Sequence, residues 1–246
     1  MEDIDIASLE RATLDAVAPP AKQEIDGWLL PFDQSTIGRA TSAVPLRHSY
    51  LNSQHIASIE ALYAARGLKA AFRVADVPGL AGVQAELMQR GYQAQQLTLV
   101  QVGDVQQMRA VCQQEPAVVR EQPDAAWSSV YLAEGFDPVD GAHRVAALSR
   151  SSHVVFACVV DGDKSVAAGT ASMSQGWCSI HGMRTLPAQR GLGLAGRVLA
   201  GLANAAAARQ LTRVFLQVEE GNDAALALYR RAGFATAWRY HYWRRV

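Results

Sequence analysis

Two stretches of this chain follow one plan. When Pro187 is laid on Pro45, Val214-Phe215-Leu216 falls on Phe72-Arg73-Val74, and Gly233-Phe234 falls on Gly91-Tyr92, without a gap. In both stretches the order reads strand, proline, loop, helix, strand, helix, Gly-aromatic, strand. A register held over that span implies two copies of one supersecondary unit. Strands alternating with helices imply an α/β fold. The competing reading is chance agreement between two unrelated α/β segments.

In the first copy the patterns predict a helix over 7–18, a strand over 24–32 and a turn at 33–36. A second strand is expected over 39–44. A helix follows over 53–66, with Ile56, Ile59, Leu62 and Tyr63 on one stripe. A strand over 70–74, a helix over 80–90 and a strand over 93–102 complete it. The polar run 103–116, with room for a short helix, divides a first domain of 1–115 from a second of 116–246. The second opens with helices over 125–133 and 140–149. Strands over 154–160 and 165–172 flank the turn Asp161-Gly162-Asp163. A strand over 177–183, a long helix ending near 209, a strand over 214–218, a helix over 223–231 and an aromatic strand over 236–243 follow.

Composition excludes several function classes. Lys+Arg and Asp+Glu balance at 23 each, so no global charge steers the chain toward nucleic acid or an anionic membrane. No apolar run approaches the ~18 residues of a membrane span. The acidic start MEDIDIASLERATL lacks the layout of a signal peptide. Cys112, Cys158 and Cys178 form neither a CxxC pair nor a zinc spacing, which suits a reducing cytoplasm and no metal. No feature specifies an oligomeric state.

Arg190-Gly191-Leu192-Gly193-Leu194-Ala195 is the segment most charged with chemistry. Glycines let successive N–H groups converge on one point. The helix beginning near Leu192 leaves its first N–H groups unpaired, and its dipole favours an anion by about 0.3–1 kcal/mol. Ten arginines and three acidic residues lie between Arg184 and Val246. Gly191 to Gly196 also spells the dinucleotide fingerprint GxGxxG. That reading fails on spacing. Thr185-Leu186-Pro187-Ala188 separates the strand from the first glycine, and Glu219 lies well beyond the ~20 residues expected.

The stretch MRTLPAQRGLGLAGRVLAGL, followed by LQVEEGNDAALALYRRAGF, resembles the GCN5-related N-acetyltransferase superfamily. Arg190, Gly193 and Ala195 match its coenzyme motif. Asn222, Ala225, Leu228, Tyr229, Gly233 and Phe234 match its second motif. The likeness is clear over 116–246. The first half, with GWLLPF and GRATSAVPL, resembles the degenerate first domain of tandem members.

The resemblance implies a mixed central sheet of the acyl-CoA N-acyltransferase type, in two tandem copies. It implies acetyl-CoA as cofactor, its pyrophosphate on residues 190–195 and its pantetheine in a slot between two splayed strands. Met183, Arg184 and Thr185 would offer main-chain groups there, and the Met183 N–H would stabilise an oxyanion. Tyr229 would be the general acid: a tyrosine at helical spacing alone reads as packing, and its place between Asn222 and Gly233-Phe234 turns the reading toward the acid. Asn222 reads as a helix cap, a pantetheine contact, or both. Glu219 is the preferred base, with Glu220 and His181 open; strand alternation puts His181 on the face of Ser179 and Met183.

The implied activity is acetyl transfer to a primary amine, small-molecule or peptide, by direct attack. Two alternatives stand: a coenzyme sensor without turnover, and an acyltransferase using a longer chain accommodated by Ala167, Gly169 and Ala171. The first copy carries His48, Ser49 and Leu51 where the second has Arg190, Gly191 and Gly193. It is not expected to bind coenzyme. Its expected part is to support the fold, to bind a partner, or to wall the acceptor site together with the helices bearing Trp127 and Tyr131.

Overall fold

The computed structural model describes residues 2–245, the side chains of Asp3 and Ile4 excepted. The N-terminal half runs α1 (Asp3–Val17), β1 (Ala21–Ile25), β2 (Trp28–Phe32), α2 (Gly38–Thr41), β3 (Val44–Pro45), α3 (His55–Ala64), β4 (Phe72–Ala75), α4 (Ala81–Gln89) and β5 (Gln93–Asp104). The helix α5 (Val105–Arg109) links it to β6 (Val118–Arg120), α6 (Ala125–Tyr131), α7 (Pro138–Arg150), β7 (Val154–Asp161), β8 (Lys164–Ser174), β9 (Trp177–Thr185), α8 (Leu194–Ala208), β10 (Arg213–Glu219), α9 (Asp223–Arg231) and β11 (Ala235–Arg244). No helix among the described residues is long and apolar enough to cross a membrane.

Two expected elements differ. The strand expected over 24–32 is a hairpin, because Asp26 and Gly27 take φ of 47° and 83° and reverse the chain. Positive φ at both central residues is the signature of the tight hairpin turn. The strand expected over 39–44 is the short helix α2 followed by β3. Packing of Ala40 with Val17, Ile37 and Ala147 overrides the local strand pattern, and the Ser42 hydroxyl donates to the Gly38 carbonyl at 2.6 Å.

An eight-stranded mixed sheet organises the molecule, in the order β4-β11-β5-β10-β9-β8-β7-β6. The halves trade strands inside it. The last strand of the first half, β5, pairs with β10 of the second. The last strand of the second half, β11, pairs with β4 of the first. The two exchanged strands pair with each other at the centre.

Each face of the sheet buries its own core. On one, α6 and α8 cover Trp127, Phe156, Val198 and Leu202. On the other, Trp28, Phe72, Tyr92, Phe215 and Tyr240 pack together, so residues of both halves share one apolar cluster. The helix α1 crosses onto β8 and β9. Its Ser8 hydroxyl accepts from the Trp177 indole at 2.9 Å, and Thr13 accepts from Gln217 at 3.0 Å.

The two copies treat their loops differently. In the first, the chain at His48 and Ser49 closes on Gly79, where an added Cβ would stand 2.1 Å from the His48 carbonyl oxygen. Gly221, the matching glycine of the second copy, has nothing within 4 Å. The gap filled in one copy is open in the other.

Candidate active site

The strands β9 and β10 run parallel and are paired at Cys178–Val214, Ser179–Phe215 and Ile180–Leu216. Beyond those pairs they diverge. β9 stays with β8 as far as Thr185, and β10 stays with β5 as far as Glu219. A wedge opens between them.

A bulge shapes its β9 wall. Ala168 pairs with Arg184 and Thr170 with His181, so Gly182 and Met183 together oppose Gly169. Gly182 has φ of 63°, the left-handed conformation that such a bulge assigns to glycine. The Tyr131 hydroxyl holds it by donating to the Gly182 carbonyl at 2.6 Å. The extra residue reverses the alternation. Met183 does not share the face of His181; it packs with the α8-side core, close against Gly169 and Val198. His181 stays on the opposite face, edge-on to Phe215.

On the α8 side the wedge opens into a cleft of about 760 Å³. Met183, Arg184, Thr185, Arg190, Gly191, Gly193, Leu194, Ala195, Asn222 and Tyr229 line it. Of the predicted coenzyme residues only Leu192 is missing from that wall; its side chain turns outward and is 57 % exposed. Gly191 and Gly193 have φ of 82° and 76°, a conformation that strains any residue with a Cβ. The first bonds of α8 run from the N–H groups of Gly196 and Arg197 to the Gly193 carbonyl. The earlier amides of the turn are therefore left to a ligand. Three arginines and no carboxylate line the cleft. Glycines at positive φ, arginines and backbone amides thus converge on one side of the cleft, an arrangement suited to an anionic group.

A second cleft, of about 330 Å³, opens on the other face. Met183, Asn222 and Tyr229 line both. Tyr229 is 7 % exposed, and burial pushes its phenol up to about 12. The Asn222 side chain accepts from the Ala225 N–H at 3.2 Å and so caps α9. Gly233, with φ of 83°, ends that helix. Glu219 lies in the second cleft and accepts from the Gln96 amide at 2.7 Å. His181 is buried there with neither ring nitrogen paired, and desolvation, then the charge of Arg39, holds its pKa well below the usual value.

Several expectations of role change. The Arg184 side chain is structural: it donates to the Tyr131 carbonyl and Asp140 and lies 4.3 Å from the centre of the Phe136 ring. Trp127 and Tyr131 are core residues, 1 % and 0 % exposed, and Arg144 is the part of α7 that reaches the second cleft. Ala167, Gly169 and Ala171 line neither cleft; the space beside Gly169 holds the Met183 sulfur. Residues without a sequence signal enter instead: Phe136 and Gln114 on the coenzyme side, Arg39, Gln96, Tyr240 and Tyr242 on the other. Gln96 did carry one structural mark. It sits at a bulge of β5 with φ of 52°, which turns its side chain toward Glu219.

A family profile described as "Probable histone acetyltransferase Rv0428c C-terminal" matches residues 4–243. No curated protein matches the chain. Among solved structures, a GCN5-related N-acetyltransferase from Kribbella flavida is similar at a TM-score of 0.71 with 16% identity, over 97% of this chain and 95% of that one. A functionally unknown conserved protein from Staphylococcus epidermidis ATCC 12228 gives 0.67 with 12% identity, over 90% and 92%. A tandem GNAT protein from the clavulanic acid biosynthesis pathway gives 0.61 with 14% identity, over 97% and 94%. With the wedge, the cradle and the bulge already in place, the profile match over nearly the whole chain identifies it as a member of the Rv0428c C-terminal family, and so as an acyltransferase of the GCN5-related N-acetyltransferase superfamily.

Proposed function

We propose that this acyltransferase moves an acetyl group from acetyl-CoA to a primary amine by direct attack, with residues 116–246 as the catalytic copy and 1–115 as a degenerate one that walls the acceptor side. The observation that carries it is the seam at Met183, Asn222 and Tyr229, where a cleft with an anion cradle meets a polar cleft through the split sheet. When bound, acetyl-CoA supplies an activated acyl carbon and a thiol leaving group. Arg190, Gly191, Leu192, Gly193, Leu194 and Ala195 would hold the diphosphate by main-chain amides and charge. Met183, Arg184 and Thr185 would align the pantetheine along β9, and the Met183 N–H would supply a donor for the oxyanion.

Glu219 accepts the amine proton, directly or through water, and Gln96 fixes the carboxylate that does so. Tyr229 holds its own proton at neutral pH and donates toward the departing sulfur. Asn222 keeps Tyr229 in place by starting the helix that carries it. The free thiols Cys112, Cys158 and Cys178 suit a reducing compartment such as the cytoplasm.

Calorimetry with acetyl-CoA on the full chain tests the cradle. We expect saturable binding, weakened at least ~100-fold by Gly193→Val, since the variant forces a branched residue to φ of 76° and so turns the converging amides away from a common point. Undiminished affinity in the variant refutes the site. Binding without thiol release on any amine would assign the chain to coenzyme sensing instead.

A further inference from the structure

The second cleft carries positive charge that the protein does not balance. Arg39, Arg144 and Arg244 line it against one carboxylate, Glu219. Arg144 is engaged by Asp140 at 2.6 Å, and Arg244 lies 4.7 Å from the centre of the Tyr242 ring. Among the described residues Arg39 has no such partner. It is half-buried, and its Nε is sealed from solvent with no hydrogen bond. Glu10 is close enough to feel its charge, but Arg73 already engages that carboxylate at 2.6 Å. Beside Arg39 stand the His181 ring and the Tyr240 hydroxyl, with the Tyr242 hydroxyl 3.3 Å from that of Tyr240.

A guanidinium partly withdrawn from water is stabilised by an anion, and a buried donor left without a partner is costly. Its planar fork matches an oxyanion, carboxylate or phosphate. The cleft's size, about 330 Å³, is that of a small-molecule site.

We propose that Arg39 binds an anionic oxygen group of the acceptor, so that the acceptor is a small amine carrying a carboxylate or a phosphate. This rests on the acyl-transfer reading above and adds the substrate class to it. One cleft then presents Glu219 to the amine and Arg39 to the anion of the same molecule. A lysine on a basic polypeptide meets the opposite situation, since its neighbouring charges face three arginines.

The test uses the full chain. Thiol release from acetyl-CoA is measured with free amino acids, aminoalkyl phosphates, the neutral amides of the same amino acids, and a lysine-rich peptide. Anionic amines are expected to exceed the matching neutral amides by about 10- to 100-fold in kcat/KM, the range of a charge-assisted hydrogen bond. Arg39→Gln should erase that preference through KM rather than kcat, with acetyl-CoA affinity held within about twofold, and Arg39→Lys should restore part of it. The carboxylate and phosphate arms tell which oxyanion is read.

Equal use of amides or of the basic peptide overturns the proposal, as does a preference that survives in Arg39→Gln. Calorimetry of the same probes gives a readout that needs no turnover; binding of amides as tight as that of the anionic amines also overturns it. If acetyl-CoA itself fails to bind, the acyl-transfer reading falls separately, and the probe calorimetry on the coenzyme-free chain still decides the role of Arg39.

Discussion

Tyr229 stands at the seam of the two clefts, and its hydroxyl has no hydrogen-bond partner among the described residues. A phenol at about 12 is a weaker acid than a thiol of pKa near 8.5. The thiolate therefore would not strip its proton outright; in the proposed mechanism Tyr229 would stabilise the leaving sulfur by donating to it. Loss of that donor should sit at the low end of acid catalysis. We expect Tyr229→Phe to lower kcat by about 10²-fold, with acetyl-CoA affinity within about twofold, as read by steady-state kinetics and calorimetry. The pH dependence follows from the sign of the shift. The useful form is the protonated one, and a raised pKa keeps it populated until the pH approaches 12. The rate profile should then rise as the amine deprotonates and show no descending limb below about pH 11. A descending limb near pH 9 that disappears in the phenylalanine variant would keep Tyr229 as the acid but overturn its raised pKa, whereas a kcat unchanged in that variant would remove Tyr229 from the chemistry. At this scale the sequence was legible where spacing encodes a local backbone need: the glycines at 191 and 193, the cap at Asn222, the helix end at Gly233. Arg39 and Gln96 were illegible, because their roles come from residues more than a hundred positions away.

Elements repeat the lesson with a different cause. Periodicity located nearly every helix and strand, since apolar stripes and alternation follow from which face is buried. It failed at the β9 bulge, where one added residue turns Met183 away from the face of His181. The hairpin at Asp26-Gly27 carried a recognisable turn pair, yet the apolar run around it reads as one strand. At Gly182 the cost of replacement is geometric. A Cβ there would stand 2.8 Å from the Tyr131 hydroxyl and 2.9 Å from Leu148, on a backbone with φ of 63°. We expect Gly182→Ala to destabilise the fold by about 1–3 kcal/mol and to lower kcat more than affinity for acetyl-CoA, because the bulge aims the main chain that lines the seam. Denaturant titration and kinetics on one preparation check both halves of that statement. A variant as stable and active as the parent would show that the bulge is not needed to shape the wedge.

At the scale of the whole molecule, the repeat was visible in the sequence but the trade of strands was not. A gapless register says that two units share a plan; it carries no information on which partner each strand takes. In the structure β5 completes the sheet beside β10, and β11 completes it beside β4, so neither half closes its sheet without the other. The shared apolar cluster makes the same point through side chains. Phe72, from the first half, packs edge-on against Trp28 and Tyr92 at 5.8 and 5.2 Å, in the cluster that also buries Phe215 and Trp243 of the second half. Truncating such a ring costs about 3–5 kcal/mol. For a chain of this length that is a fall in Tm of roughly 6–20 °C. If the halves were thermodynamically separate, Phe72→Ala would lower one of two transitions and leave the cleft on the α8 side, built on residues 111–231, at its original Tm. Strand exchange dictates the opposite: one transition in calorimetry, shifted as a whole, with acetyl-CoA raising the midpoint of parent and variant alike. A second transition that coenzyme protects and Phe72→Ala does not move would mean that the C-terminal half stands without its partner, and that the exchanged strands join the halves without coupling their stability.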